Sequence, residues 1–165
     1  INADARSIPF ENNFFDIVYH LGVLEHFKDP TTILKEQYRV LKNGGLVFVS
    51  VPQTFTLYTI KKQFLQFFGR WFAGWESQFS PPKLKSVVKF AGFDPIKIFG
   101  HGYYPGYLWR IFELDHSKRW NSILPKFLMS VYKTFIGRFR KSQLSPYMNL
   151  NVAIIGMKKD KILKS

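Results

Sequence analysis

Two short apolar runs with one helical pattern between them restrict the folds open to this chain. Residues 15–19 (FDIVY) are β-prone and stop before Gly22, and residues 46–51 (LVFVSV) form a second run closed by Pro52. Both have the composition of buried strands. Between them, Asp29-Pro30 sets a capping side chain before a proline at the first helical position. Ile33, Leu34, Tyr38 and Leu41 then recur on one helical face until Gly44-Gly45. A strand, a helix and a strand in that order predict a right-handed crossover joining parallel strands, and so an α/β fold class.

The pattern repeats more loosely downstream. Residues 54–79 predict a helix around Lys61 to Phe72 followed by a loop, after which Ser80-Pro81-Pro82 opens another helix. Leu84, Val87, Val88 and Ala91 lie at helical spacing there, Gly92 ends the run, and residues 95–99 (PIKIF) return as a strand. Residues 150–157 (LNVAIIGM) predict a last strand before a solvated lysine-rich tail. The expected organisation is a core over 1–99, an aromatic and basic insert or lid over 100–147, and the last strand with its tail over 148–165.

Composition narrows the classes of function. A hydrophobic content of 46% suits one domain with a real core. No cysteine is present, which removes disulfide, thiolate and zinc-ribbon chemistry and is in keeping with a reducing compartment, so the expected location is the cytoplasm. No run reaches the roughly 18 to 20 apolar residues of a membrane span. The formal net charge of +13 draws polyanions, with acidic lipid headgroups, nucleic acid and phosphorylated substrates all answering to it.

Ligands of doubly wound sheets sit beyond the carboxyl ends of the strands, which singles out Asp4-Ala5 and His20-Leu21. A carboxylate at Asp4 can accept a hydrogen bond from an adenine amino group while the Ala5 amide donates to a ring nitrogen; capping a turn is an equally ordinary task for Asp4. Glu25 and His26 open the crossover, where His26 is a candidate general base toward a hydroxyl or amine, against the alternative of local helix-start hydrogen bonds.

Taken together, DARSIPF, FDIVYHLGVLEHF and DPTTILKEQYRVLKNGGLVFVSVP resemble the class I S-adenosylmethionine-dependent methyltransferases, in particular the broad group similar to ubiquinone and menaquinone biosynthesis methyltransferases. The resemblance is strong over residues 3–52 and looser through GWESQFSPPKLKSVVKFAGFD. It implies a Rossmann-like methyltransferase fold, represented by the C-terminal part of a mostly parallel sheet with an antiparallel last strand. It also implies S-adenosyl-L-methionine as cofactor, with Asp4 on the adenine amino group, Ala5 against the ring, and the backbone of His20 and Leu21 along the methionine end. Pro9 and Phe10 shape the loop. No metal is expected, because Gly22 stands where some similar quinone-pathway O-methyltransferases carry a glutamate. The glycine-rich loop E/D-x-G-x-G and the acidic residue for the ribose hydroxyls do not occur here. The sequence is therefore expected to be a fragment that enters the fold after its third strand, leaving residues 15–19 as an apolar edge.

Two further segments carry alternatives. Tyr58, Trp71, Trp75 and Glu76 are candidate walls of an acceptor pocket or ordinary packing residues. Residues 122–141 (SILPKFLMSVYKTFIGRFRK) put Leu124, Phe127, Leu128, Val131, Phe135 and Phe139 on one helical face and Lys126, Lys133 and Arg140 on the other. Such a helix suits an anionic membrane surface or a lid on its own domain. The basic residues are dispersed and no reader of bases is recognisable, so nucleic acid is not the expected partner. The functional expectation is methyl transfer to an O, N or C atom of a small or lipid-like acceptor as part of a longer chain. A non-catalytic remnant, or an interaction module with a basic amphipathic helix, is the alternative.

Overall fold

A computed structural model describes residues 1–71, 75–102, 130, 131, 134 and 145–159. Strand β1 (Phe15–Leu21) leads through a short 3-10 helix (Leu24–His26) into helix α1 (Pro30–Val40) and strand β2 (Leu41–Pro52). Helices α2 (Leu57–Phe67) and α3 (Pro81–Phe90) precede strand β3 (Phe93–His101), and the short helix α4 (Ser145–Met148) precedes strand β4 (Asn151–Lys158). The amphipathic segment 122–141 lies outside the described residues except at 130, 131 and 134.

The sheet order is β1-β2-β4-β3, with β1 parallel to β2 and β4 antiparallel to both of its neighbours. Alternate side chains follow from the register. Val18 and His20 lie beside Val47 and Val49, and Val49 lies beside Ile154. This face forms the core, where Val47, Val49, Val51, Val152 and Ile154 pack with Ile33 and Leu34 of α1 and Leu84 and Val88 of α3. The other set of β1 side chains, Ile17, Tyr19 and Leu21, is exposed, Tyr19 at 73%. β1 ends the sheet, as expected of residues 15–19, and among the described residues its outer edge has no partner strand.

Local chemistry explains the boundaries. Asp29 accepts from Thr31 N and holds the hydroxyls of Thr31 and Thr32, so α1 starts at Pro30 as expected. It ends at Val40 rather than at Gly44-Gly45. Leu41 is extended and fully buried, and the chain reaches β2 through an irregular stretch in which the pairing jumps from Phe15↔Leu41 to Ile17↔Leu46. Gly44 occupies the left-handed region (φ 75°) within that stretch. Helix α2 starts earlier than the expected Lys61, because the Thr56 side chain accepts from Thr59 N at 3.0 Å. It closes at Phe67, with Gly69 (φ 65°) donating to Gln66 O. Ser80 caps α3 through Lys83 N.

The last strand runs one residue beyond the expected Met157. Lys158 belongs to β4 and is buried, not part of a solvated tail. Its ammonium donates to Asn13 Oδ1 at 2.8 Å and to Tyr38 O and Leu41 O at 2.7 Å, and lies 4.7 Å from the Tyr38 ring centroid. A cation there satisfies carbonyls at the end of α1 and opposes the negative end of the helix dipole. Lys158→Ala is expected to cost about 2–3 kcal/mol, since it strands buried carbonyls. Lys159→Ala, at an exposed pair with Asp94, should cost less than about 1 kcal/mol. Urea denaturation of the two variants measures the difference.

Candidate active site

The site is built where β1 and β2 end. Gly22 turns the chain in the left-handed region (φ 65°) and donates its N–H to Ser50 O at 3.0 Å. A Cβ at Gly22 would stand 3.3 Å from Glu25 Oε1, so the glycine also leaves room for that carboxyl. The 3-10 helix then sorts its residues: Leu24 and Glu25 turn inward, and His26 stays exposed. Glu25 is 3% exposed and its Oε2 has no hydrogen-bond partner. Burial raises its pKa, with the Glu76 charge adding to the shift and its backbone hydrogen bond, His26 and Lys62 opposing it.

Beside Glu25 lies a buried ion pair. Lys62, on the inner side of α2, is fully buried and donates to Glu76 Oε2 at 2.8 Å, while Trp71 Nε1 lies 3.4 Å from Glu76 Oε1. Ser77 N donates to Glu25 O at 2.7 Å, tying this segment to the 3-10 helix. Three ionisable groups from three segments thus share one desolvated region, two carboxyls against one ammonium. That imbalance and the missing partner favour the protonated form at Glu25. Gln53, fully buried at the end of β2, anchors the covering segment: Thr59 Oγ1 donates to its carbonyl at 2.6 Å and Phe55 N donates to its side-chain oxygen.

The residues singled out in the sequence fall into three groups. His20 and Leu21 lie at the carboxyl end of β1 with their side chains on opposite faces of the sheet. The His20 ring is in the core, neither nitrogen has a hydrogen-bond partner, and burial lowers its pKa to about 4, with Gln37 opposing the shift in part. Leu21 is exposed. Asp4 forms a turn: Ser7 N donates to its carbonyl at 2.9 Å, and its carboxylate is held by Arg6 Nη2 at 2.7 Å, which lowers its pKa to about 2. Ala5 packs against the core. The loop after them is clamped on α1, with Ile8 N donating to Glu36 and Arg39 donating to Ile8 O and Phe10 O. Among the described residues no hydrogen bond joins Asp4 to the carboxyl cluster. Of the candidate pocket walls, Trp71 and Glu76 are joined there, and Trp75 is exposed.

One pair had no sequence signal. His101 Nε2 lies 2.5 Å from Ser50 Oγ, bringing the end of β3 onto β2, and burial lowers the His101 pKa. Among the described residues no group of His, Cys, Asp and Glu could hold a metal ion.

Comparison with known proteins places this geometry. Residues 1–49 match the family model described as a methyltransferase domain. Over 125 residues the chain is 27% identical to the ubiquinone biosynthesis O-methyltransferase of Cereibacter sphaeroides, covering 70% of this chain and 49% of that protein. Over 116 residues it is 35% identical to the demethylmenaquinone methyltransferase of Staphylococcus haemolyticus, covering 59% and 48%. In three dimensions it is similar to a SAM-dependent methyltransferase from Thermotoga maritima, with a TM-score of 0.64 and 20% identity over 96% of this chain and 63% of that one. The chain spans about half the length of the curated relatives it matches. The fold is the Rossmann-like methyltransferase fold expected from the sequence, with its parallel β1 and β2 and its antiparallel last strand.

Two of the buried titratable groups, His20 and Glu25, impose opposite pH trends. His20 has a folded-state pKa below its ordinary value of 6.5, so its contribution is present above that pH and is lost as pH falls toward about 4. The loss should approach about 3 kcal/mol, and His20→Leu should flatten that acid limb in urea midpoints measured against pH. Glu25 is raised instead, so the folded protein loses stability as pH climbs past the usual carboxylate range, and Glu25→Gln should remove that loss.

Proposed function

We propose, for a chain with the class I S-adenosylmethionine-dependent methyltransferase fold and a methyltransferase-domain match over residues 1–49, that its full-length protein transfers a methyl group to a small lipid-like acceptor. The observation that carries this reading is the joint one: the fold places Gly22, the buried Glu25 and the Lys62–Glu76 pair at the carboxyl ends of β1 and β2, where ligands of such sheets bind. Relatives named for ubiquinone and menaquinone biosynthesis support an acceptor of quinone-like chemistry, with an O or C atom receiving the methyl group.

The residues present suit the adenine side of S-adenosylmethionine. Asp4 is an exposed carboxylate that stays ionised down to about pH 2, and an acceptor-only group is what an amino group requires. Ala5 presents a backbone amide behind a small side chain, and the backbone of His20 and Leu21, at the carboxyl end of β1, would hold the methionine end. When bound, the cofactor supplies an electrophilic methyl group on a sulfonium. The chain's own tasks are to align the acceptor, exclude water and receive a proton. His26, exposed on the 3-10 helix, is the base in this reading.

Calorimetric titration of the full-length protein with S-adenosylmethionine tests the proposal. Binding is expected. Asp4→Ala should weaken it by about tenfold while leaving the melting temperature nearly unchanged, in line with one charge-assisted hydrogen bond. His26→Gln should lower kcat toward a quinol acceptor by about a hundredfold with little change in cofactor affinity. Absence of cofactor binding by the full-length protein would favour the non-catalytic reading instead.

A further inference from the structure

Helix α2 is inside out. Its lysine at 62 is fully buried, whereas Ile60, Phe64, Phe67 and Phe68 form an outward stripe at helical spacing, with Phe67 85% exposed. The rings are contiguous: Phe64 and Phe68 centroids lie 4.8 Å apart, and Phe67 and Phe68 centroids 5.2 Å. Exposed Trp75 follows the helix, and exposed Phe55, stacked on Tyr147, precedes it. A soluble helix places these residues the other way round, and an exposed aromatic patch of this kind marks a contact surface.

We propose that the outward face of α2, with Phe55 and Trp75 at its two ends, docks the protein on an anionic membrane surface. Charge selects this occupant. Residues 54–75 contain no Asp or Glu; with Lys62 buried against Glu76, their remaining basic residues are Lys61 and exposed Arg70, and the chain as a whole has a formal net charge of +13. Two copies facing each other through this patch would bring like charges together, whereas an anionic leaflet meets aromatic rings with acyl chains and basic residues with headgroups. The one acidic residue just beyond the segment, Glu76, is withdrawn into the interior by Lys62. Turning that lysine inward keeps its charge out of the outer stripe of α2, which Ile60, Phe64 and Phe67 leave apolar. Because α2 follows the carboxyl end of β2, the docked surface adjoins the site, and a lipid-like acceptor would leave the bilayer beside it.

Co-sedimentation of the full-length protein with vesicles, without cofactor or acceptor, reads this surface separately from methyl transfer. The vesicles are phosphatidylcholine alone and phosphatidylcholine mixed with phosphatidylglycerol. The expected result is binding to the mixed vesicles that weakens with salt. It should drop about tenfold or more in the double variant Phe64→Ser, Phe67→Ser, and drop again, on anionic vesicles only, in Arg70→Glu. Phe90→Ser, on exposed α3, should bind as the unchanged protein does. Melting temperatures establish that the variants are folded, and Phe67→Gln alone provides the reading where the double variant is not. Equal binding to both vesicle types, or unchanged partition of the Phe64 and Phe67 variant, would overturn the proposal. So would a light-scattering result in which that variant turns dimers into monomers without altering vesicle binding, because the face would then belong to a second copy.

Discussion

The sheet depends on a strand that runs against its neighbours. β4 is hydrogen-bonded to β2 on one side and to β3 on the other, so β2 and β3 are held in one layer only through it. It brings Val152 and Ile154 into the core, and burying side chains of that size contributes roughly 1.5–3 kcal/mol each. At Gly156 a Cβ would meet Phe93 Cβ and Val47 Cγ1 at 3.1 Å and Val88 Cγ1 at 3.2 Å. The absence of a side chain lets α3 settle onto the sheet. The strand then ends on the buried ammonium that closes α1.

The elements that were legible in the sequence are those whose signals are local. Asp29-Pro30 and Ser80-Pro81 each combine a capping oxygen with a proline, and both helices start there. The run LVFVSV is a strand because its β-branched residues, Val47, Val49 and Val51, alternate onto the core face while Leu46, Phe48 and Ser50 take the other. Local signals also mislead. Gly44 looked like a helix stop, but it sits in the irregular start of β2, while the true stop at Val40 is set by a lysine far along the chain. The Thr56 cap was hidden among other hydroxyls and aromatics, which displaced the expected α2 by about a turn. Asp4 forms the turn that its residue type allows, and its place at a cofactor rests on the family likeness. Buried Lys62, its partner Glu76 and the Ser50–His101 contact join residues distant in sequence, and a lysine in a helical pattern reads as solvent-facing.

The mouth of the site therefore uses charge where the core uses apolar packing. Desolvating an ion costs several kcal/mol, and a buried pair recovers this only with good geometry and further hydrogen bonds. Lys62 and Glu76 have such geometry, and Gln53 with Thr59 fixes the start of the same helix. Helix α2 is thus fastened to the sheet by polar contacts and keeps much of its apolar surface outside. Elements held in this way belong to the lower-stability part of a fold, from which covering segments of active sites are drawn.

The position of β4 also sets a timetable for biosynthesis. β1, α1 and β2 can associate as soon as they leave the ribosome, because their contacts are close in sequence. β3 emerges next with no strand to pair with, since both its edge and that of β2 are reserved for a segment beginning at Asn151. Throughout the synthesis of the intervening residues the nascent chain exposes two unsatisfied strand edges lined with Val, Ile and Phe, a state that invites capture by other chains. The final insertion must then place β4 between two strands that precede it in the chain, so the sheet closes only when its last segment has been made.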